Sequence, residues 1–524
     1  MAANTLTYKI EAADLEFARK HIKSFYASDF YPDVPEFEAV WASWADVLSL
    51  LTSTPVANFG DAPLQTAAPK SGGGYRVVHQ LQPLDALLYT ALAHRVAEAV
   101  ERKRHPKEAG VVCSYRLSLS DGGFFDENHD GYKTFHDRSS DLADQNSHVL
   151  SVDIASFYNH IYIHRLQNSL ELCDPGLKQI SRSIEEFLLN LNHRQSVGIP
   201  IGPAASIVFA EALLIDVDEF LTSECGNVEY VRYVDDFRFF SDSEADLVEV
   251  HHKLTSYLHK AHRLSLASGK SKLLEAEMFK DRVLAPPEDA EREALQEQAD
   301  ELLNDLGMAS CGGVATREAS DVTWDDASTA ARVEALETLF RKVTKRPTLD
   351  IGLARHLLRR SRRARIREIL PMVISNAGFL LPVFRDVGLY LRKVLSASAI
   401  ESNLSAFETL TADQDLALPF ATHWLRWLFA SRPEFSKSLK VEGFVMGEPA
   451  DVRARAEYAR TNRRLSWVKN MKDDWRNLSP WDRRALILSG ETLATAERNI
   501  WMDAINDKPP EPLDAFVARY VKSL

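Results

Sequence analysis

Long apolar runs, cysteine and positive net charge are what this chain of 524 residues lacks. No stretch approaches the roughly 18 apolar residues that a bilayer-crossing helix needs, and no charged-then-apolar leader opens the chain. The expected setting is therefore the cytoplasm, with no membrane partner. Only 4 cysteines occur, Cys113, Cys173, Cys225 and Cys311. Their scatter fits no zinc spacing and suits a reducing compartment. Net charge is −13, which does not exclude nucleic acid, because phosphate contacts need local rather than total positive potential.

What the chain does have is Tyr233-Val234-Asp235-Asp236 between two apolar, strand-like runs, with Asp153 standing 82 residues earlier (235 − 153 = 82). His148-Val149-Leu150-Ser151-Val152, just before Asp153, reads as a buried strand. Apolar alternation on both sides of the Asp pair predicts a β-hairpin with both carboxylates at its turn. A plain hairpin also uses such a turn, since Asp is favoured there. Carboxylates brought together from separate strands can instead hold a pair of divalent metals, an arrangement suited to nucleotide transfer.

Between the acidic sites lies Gly198-Ile199-Pro200-Ile201-Gly202-Pro203-Ala204-Ala205-Ser206, followed by an apolar run from Ile207 to Leu214. Gly and Pro at this density predict a loop feeding a helix. Its small residues (Gly198, Gly202, Ser206 and the flanking Pro200) either admit a strand of nucleic acid closely or simply start a core helix at Pro203.

These three elements, in this order, resemble motifs A, B and C of the reverse transcriptase palm. Pro69-Lys70, Tyr75-Arg76-Val77-Val78 and Pro83-Leu84-Asp85 resemble the fingers of that family, Ser114-Tyr115-Arg116 its next fingers motif, and Leu266-Ala267-Ser268-Gly269-Lys270-Ser271 its motif D. The resemblance implies that Asp153 and Asp235 are direct metal ligands, aided by the Ile154 carbonyl, with Asp236 a weaker catalytic partner. The cofactor would be two Mg²⁺ ions, with Mn²⁺ as a substitute. Lys70 and Arg76 would neutralise the triphosphate of incoming dNTPs, and Lys270 would assist the leaving group. Tyr158 falls at the family's sugar-gate position, although it also reads as a core aromatic beside Phe157. Two departures count against faithful copying of a long template: Ile201 stands where the family has Gln, and Ala267 where it has Asn.

Beyond the palm, an acidic stretch from Glu288 to Asp305 holds Arg292 as its single basic residue, and Pro286-Pro287 and Gly312-Gly313 mark a boundary. From about 328 the pattern is helical, with segments expected near 378–396, 399–412, 415–430, 449–473 and 480–505. Ser479-Pro480 reads as an N-cap followed by a first-turn proline. Arg355, Arg359, Arg363 and Arg367 recur every four residues and predict a stripe on one helix face. Such a stripe calls for an anion, either nucleic-acid phosphate or the acidic 288–305 stretch. The expected fold is an α+β half of reverse-transcriptase fingers and palm followed by an all-α, HEAT-like half. The expected division is an N-terminal helical segment at 1–64, fingers and palm at 65–285, an acidic linker at 286–327 and a helical domain at 328–524.

The palm, this form of motif B and a helical half with Trp481-Asp482-Arg483-Arg484-Ala485 together resemble the bacterial abortive-infection and defence-associated reverse transcriptases. That resemblance implies a trimer or hexamer making single-stranded DNA, untemplated or on a small non-coding RNA. It also implies a tyrosine hydroxyl as possible primer, for which Tyr26 and Tyr31 are the candidates. Two alternatives remain: a conventional RNA-templated enzyme of a retron or mobile element, and a catalytically idle scaffold that binds partners. Zinc-type and HNH-type nuclease signatures and a ribonuclease H carboxylate set are missing, which argues against an element that integrates its product.

Overall fold

The computed structural model describes residues 6–70, 72–284, 295, 334, 337–363, 365–367, 369–447 and 450–524. The expected 286–327 linker thus falls outside the described residues, apart from Leu295.

The centre of the N-terminal half is a four-stranded antiparallel sheet in the order β6-β7-β5-β8. It is built from β5 (His148–Asp153), β6 (Glu229–Tyr233), β7 (Asp236–Ser241) and β8 (Lys272–Glu275). Period-two alternation splits its side chains between two cores. Leu150, Val152, Phe237 and Phe239 enter the main core. Val149, Val231 and Phe240 face a smaller core with Phe135 and Phe279. The register pairs Asp153 with Asp236 and Tyr233 with Asp236. The predicted hairpin is therefore present, with Val234-Asp235 as its two-residue turn and Asp236 opening the return strand.

Two hairpins extend this sheet domain. β1 (Leu64–Pro69) pairs with β2 (Tyr75–Gln80), and its turn carries Gly72, Gly73 and Gly74, all at positive φ. β3 (Leu117–Ser120) pairs with β4 (Gly123–Phe125). The loop after Gly198 feeds the helix Ala205–Glu224, as its composition predicts.

The C-terminal half is rich in short helices. Ser479 caps Pro480–Ser489, its hydroxyl accepting from the Asp482 amide at 3.3 Å. Several expected segments are broken where the chain must turn sharply. The 399–412 segment splits at Asn403, the 449–473 segment at Arg463 (φ 50°), and the 480–505 segment after Ser489. At that last break a Cβ on Gly490 would meet Met502 and Trp501 at 2.9 Å, so only glycine fits.

The helical half also feeds two different cores. Residues from Leu339 to Tyr458 form a core with Tyr31, Ala68 and Val78 of the N-terminal half. Residues from Ala459 to Val521 join the main palm core instead. Buried Arg484 ties the two halves by donating to Gln82 at 2.7 Å.

Candidate active site

Asp153 ends β5 and Asp235 sits in the β6–β7 turn, so sheet pairing brings both to one end of the sheet. The Ile154 amide donates to the Asp235 carbonyl at 3.0 Å, locking the two chain segments together. The turn itself is strained. Val234, a β-branched residue, takes φ 54°, a left-handed value that such residues avoid.

A fully buried ion network holds that strain in place. Arg232 donates to both oxygens of Asp218 at 2.7–3.0 Å, to Glu211 at 3.0 Å and to the Val234 carbonyl at 3.4 Å. Arg104 pairs with the same Glu211 at 3.0 Å and donates to the carbonyls of Ser114 and Tyr115. Ser114 Oγ donates to Glu211 at 2.6 Å. Burial alone would raise the Glu211 carboxyl, but Arg104 and Arg232 overcome it and hold it below the usual carboxylate range. Sequence reasoning missed Glu211 and Asp218. The available signal was Glu211 within the apolar run Ile207–Leu214 of the helix Ala205–Glu224, where a buried acid must have a partner; Asp218 stands among further acids and gave no such signal.

The catalytic carboxylates have the opposite surroundings. Burial first, and then the charges of Asp153 and Asp236, push Asp235 up to about 6. Burial likewise pushes Asp236 up to about 6, with Arg238 opposing and Asp153 adding to the rise. Such a pair calls for a cation, and in this structure the Lys270 ammonium supplies one, 2.6 Å from Asp153 Oδ2. Among the described residues no three His, Cys, Asp or Glu side chains close around an ion. Two carboxylates and the Ile154 carbonyl with open positions left over fit Mg²⁺, which keeps substrate oxygens and water in its shell.

Asp153, Ile154 and Asp235 face a cavity of about 440 Å³. Lys70 and Arg76 reach it from the fingers hairpin, Lys270 and Tyr158 from the palm, and Gly202, Ser206 and Ile201 from the glycine-proline loop. Asp236, Gly198 and Pro200 do not line it. Asp236 starts β7, and Pro200 accepts the Ser206 hydroxyl through its carbonyl. Gly198 and Gly202 both take positive φ. A Cβ on Gly202 would meet Ser28 Oγ at 2.4 Å, so the loop packs directly on the N-terminal segment. The Tyr158 ring stands edge-on to Phe157, and burial holds its hydroxyl well above the usual range.

The helical half supplies a third wall. Arg355, Arg359 and Arg385 line the cavity. Arg359 Nε donates to Asp386 at 3.0 Å, and Arg355 lies 3.4 Å from the same carboxylate. The acid facing the expected stripe is thus Asp386, whereas the 288–305 stretch lies outside the described residues. The stripe also stops early. Its helix, Ile351–Arg363, ends at Arg363, Arg365 takes φ 53°, and Arg367 turns away to donate to the Val394 carbonyl at 3.0 Å. Arg385 gave no sequence signal, because it belongs to the next long helix, Phe384–Val394.

Neither Tyr26 nor Tyr31 lines the cavity, contrary to their expected role as primers. Tyr31 is 5% exposed in the second core, against His423. Tyr26 lies under the Arg385 guanidinium at 4.8 Å. The segment between and beyond them is pinned: Ser28 Oγ donates to the His79 carbonyl, the Asp29 amide to the Gly202 carbonyl, and Trp424 Nε1 to the Phe30 carbonyl.

The reverse transcriptase (RNA-dependent DNA polymerase) family matches residues 68–298. The chain carries that domain and is an RNA-directed DNA polymerase-like enzyme. No curated protein matches it. Among solved structures, it is similar to telomerase from Candida albicans in complex with the TWJ fragment of telomeric RNA, at 12% identity over 78% of this chain and 70% of that one, with a TM-score of 0.28. Telomerase from Candida tropicalis with the same kind of RNA fragment gives 13% identity, 75% and 67% coverage and a TM-score of 0.33. An RdRp complex gives 10% identity, 98% and 48% coverage and a TM-score of 0.27.

Proposed function

We propose that this protein synthesises single-stranded DNA from dNTPs in antiphage defence, in the cytoplasm and as a homo-oligomer, either without a template or on a small non-coding RNA. The observation that carries the reading is the convergence of Asp153 and Asp235 on a cavity whose other walls are basic and whose loop offers Ile201 where a template contact would need a hydrogen-bonding side chain.

Asp153, Asp235 and the Ile154 carbonyl would hold the divalent cations, and Asp236 would set the charge beside them. The chemistry such cations would supply is activation of a 3′-hydroxyl and neutralisation of charge on the pyrophosphate. Lys70 and Arg76 orient the triphosphate, and Lys270, which reaches Asp153 at 2.6 Å, holds a proton near the leaving oxygen. Tyr158 excludes a 2′-hydroxyl. Arg355 and Arg359 hold strand phosphates on the opposite wall, and the rest of the helical half is read as a HEAT-like stack. For a protein-primed reaction, the fitting tyrosine is Tyr75, which lines the cavity and is 55% exposed.

The test is incorporation of each dNTP by purified protein with Mg²⁺ and no added nucleic acid, beside Asp235→Ala. Incorporation that survives ribonuclease and vanishes in the variant supports untemplated synthesis. Loss on ribonuclease treatment supports the RNA-dependent form. Activity only on an added primer–template would make this a conventional reverse transcriptase, and silence throughout would make it a scaffold.

A further inference from the structure

Asp236 stands beside the catalytic pair and yet turns from it. The register sets it directly opposite Asp153, and it follows Asp235 in the chain, but Asp153 and Asp235 line the polymerase cavity and Asp236 does not. Side chains of a strand return to one face at every second position, so Asp236, Arg238 and Phe240 share a face of β7. Phe240 places that face in the smaller core. There Arg238 is 7% exposed, beside Phe135 and Phe279. An arginine keeps its charge at any pH the protein meets, so its place in an aromatic core needs a reason.

The guanidinium is fixed from several sides. It sits over the Phe135 ring at 4.1 Å and the Phe279 ring at 5.3 Å. Its Nη1 donates to Ser139 Oγ at 2.9 Å, and that hydroxyl donates in turn to the Phe135 carbonyl at 2.6 Å. Ser139 and Phe135 belong to the helix Gly131–Gln145, which packs on β6 and β7. Burial presses Arg238 below the usual arginine range, and Asp236 leads the charges that resist it. Burial also raises Asp236, and Arg238 leads the charges that oppose that rise. Each is the other's foremost counter-charge. Among the described residues no three acidic, histidine or cysteine side chains close around an ion, so Asp236 does not complete a ligand cluster with Asp153 and Asp235.

We infer that Arg238 is a positioning residue that holds Asp236 off the cation site of Asp153 and Asp235, keeping coordination positions there open for substrate oxygens. The inference rests on the polymerase reading of that cavity. In an octahedral Mg²⁺ shell, a further carboxylate takes a position that a triphosphate oxygen or a 3′-hydroxyl needs. A captured Asp236 would therefore bind the cation more tightly and support less turnover. The guanidinium prevents that capture by its charge, and Ser139 and the two rings keep the guanidinium in place.

The experiment uses the full-length protein and two readouts: the rise of Tm with Mg²⁺ in the absence of dNTP, and kcat for dNTP incorporation. Methionine is a flexible apolar replacement that suits an aromatic core. In Arg238→Met the Mg²⁺ concentration giving half the Tm rise should fall about threefold or more, because a neighbouring positive charge is gone. At the same time kcat should fall about tenfold or more. Loss of a merely structural arginine would weaken both instead. Arg238→Lys keeps the charge and should hold the Mg²⁺ midpoint within about twofold of the wild type. Ser139→Ala removes one anchor and spares the charge, so it should shift the midpoint the same way by less, and it carries the test if Arg238→Met does not fold. In an Asp236→Asn background, Arg238→Met should change the midpoint by less than about twofold, since no carboxylate remains to be captured. A wild type that incorporates nothing, with this Tm pattern intact, sinks the polymerase reading and leaves the role of Arg238 standing. A weaker or unchanged Mg²⁺ response in Arg238→Met overturns the inference. So does an effect just as large in the Asp236→Asn background, or a wild-type Tm that ignores Mg²⁺.

Discussion

Two sets of buried carboxylates lie close together in the chain's polymerase half and are treated in opposite ways. Glu211 is clasped by Arg104 and Arg232 and is held ionised below its ordinary range. Asp235 has no such clasp, and burial plus its acidic neighbours raise it to about 6. The difference separates scaffold from chemistry: where the fold supplies the cation the carboxylate is structural, and where the fold withholds it the carboxylate is open to an external one. Asp386 in the helical half repeats the first pattern, with Arg359, Arg385 and Arg355 overcoming its burial.

The comparison breaks most visibly at Asp235. Asp235→Asn should reduce dNTP incorporation on the order of 10³-fold or more, because a ligand is lost that water replaces poorly. Next in size is Glu211→Ala, which takes from two buried arginines the acid they share and leaves Arg232 only Asp218 and Arg104 only Glu101 among the described residues. It should cost about 3–5 kcal/mol in a denaturant titration, in contrast to Asp235→Asn. Tyr158→Ala should narrow the preference for dNTPs over rNTPs by about 10–100-fold in kcat/KM, with dNTP incorporation largely kept.

The smallest expected effect is on pH. Asp235 and Asp236 titrate near 6 in the fold against an ordinary 3.8. The folded state therefore binds more protons than the unfolded one between those values, and these groups lower stability as pH rises through about 4 to 6. Glu211 and Asp386 are depressed, so their contribution is present above the ordinary carboxylate value and is lost as pH falls through the folded one. Metal-free melting curves should show the first slope disappear in an Asp235→Asn/Asp236→Asn double variant, and Mg²⁺-dependent activity should fall below about pH 6.

The palm was legible because its signals are local. The strand before Asp153, the hairpin at Tyr233–Asp236 and the glycine-proline loop are each written in a few adjacent residues. The Ser479 cap was legible for the same reason. Arg385, Asp29 and Phe30 were not, since their positions at the polymerase cavity come from packing between distant parts of the chain. The arginine stripe was half legible. Four-residue spacing located Arg355 and Arg359, but spacing carries no warning that the helix ends at Arg363. The positions of Tyr26 and Tyr31 away from the cavity lining were not legible either, since nothing in a single sequence tells that Tyr31 packs against His423.

One paired measurement tests the central claim most directly: Tm with and without Mg²⁺, together with dNTP incorporation, for the wild type, Asp235→Asn and Glu211→Gln. The account predicts that Mg²⁺ raises the wild-type Tm, and that Asp235→Asn is inactive, at least as stable as the wild type without metal, and unresponsive to Mg²⁺. Glu211→Gln should melt lower and still respond. Retained incorporation in Asp235→Asn, or an undiminished Mg²⁺ shift in it, would contradict the account.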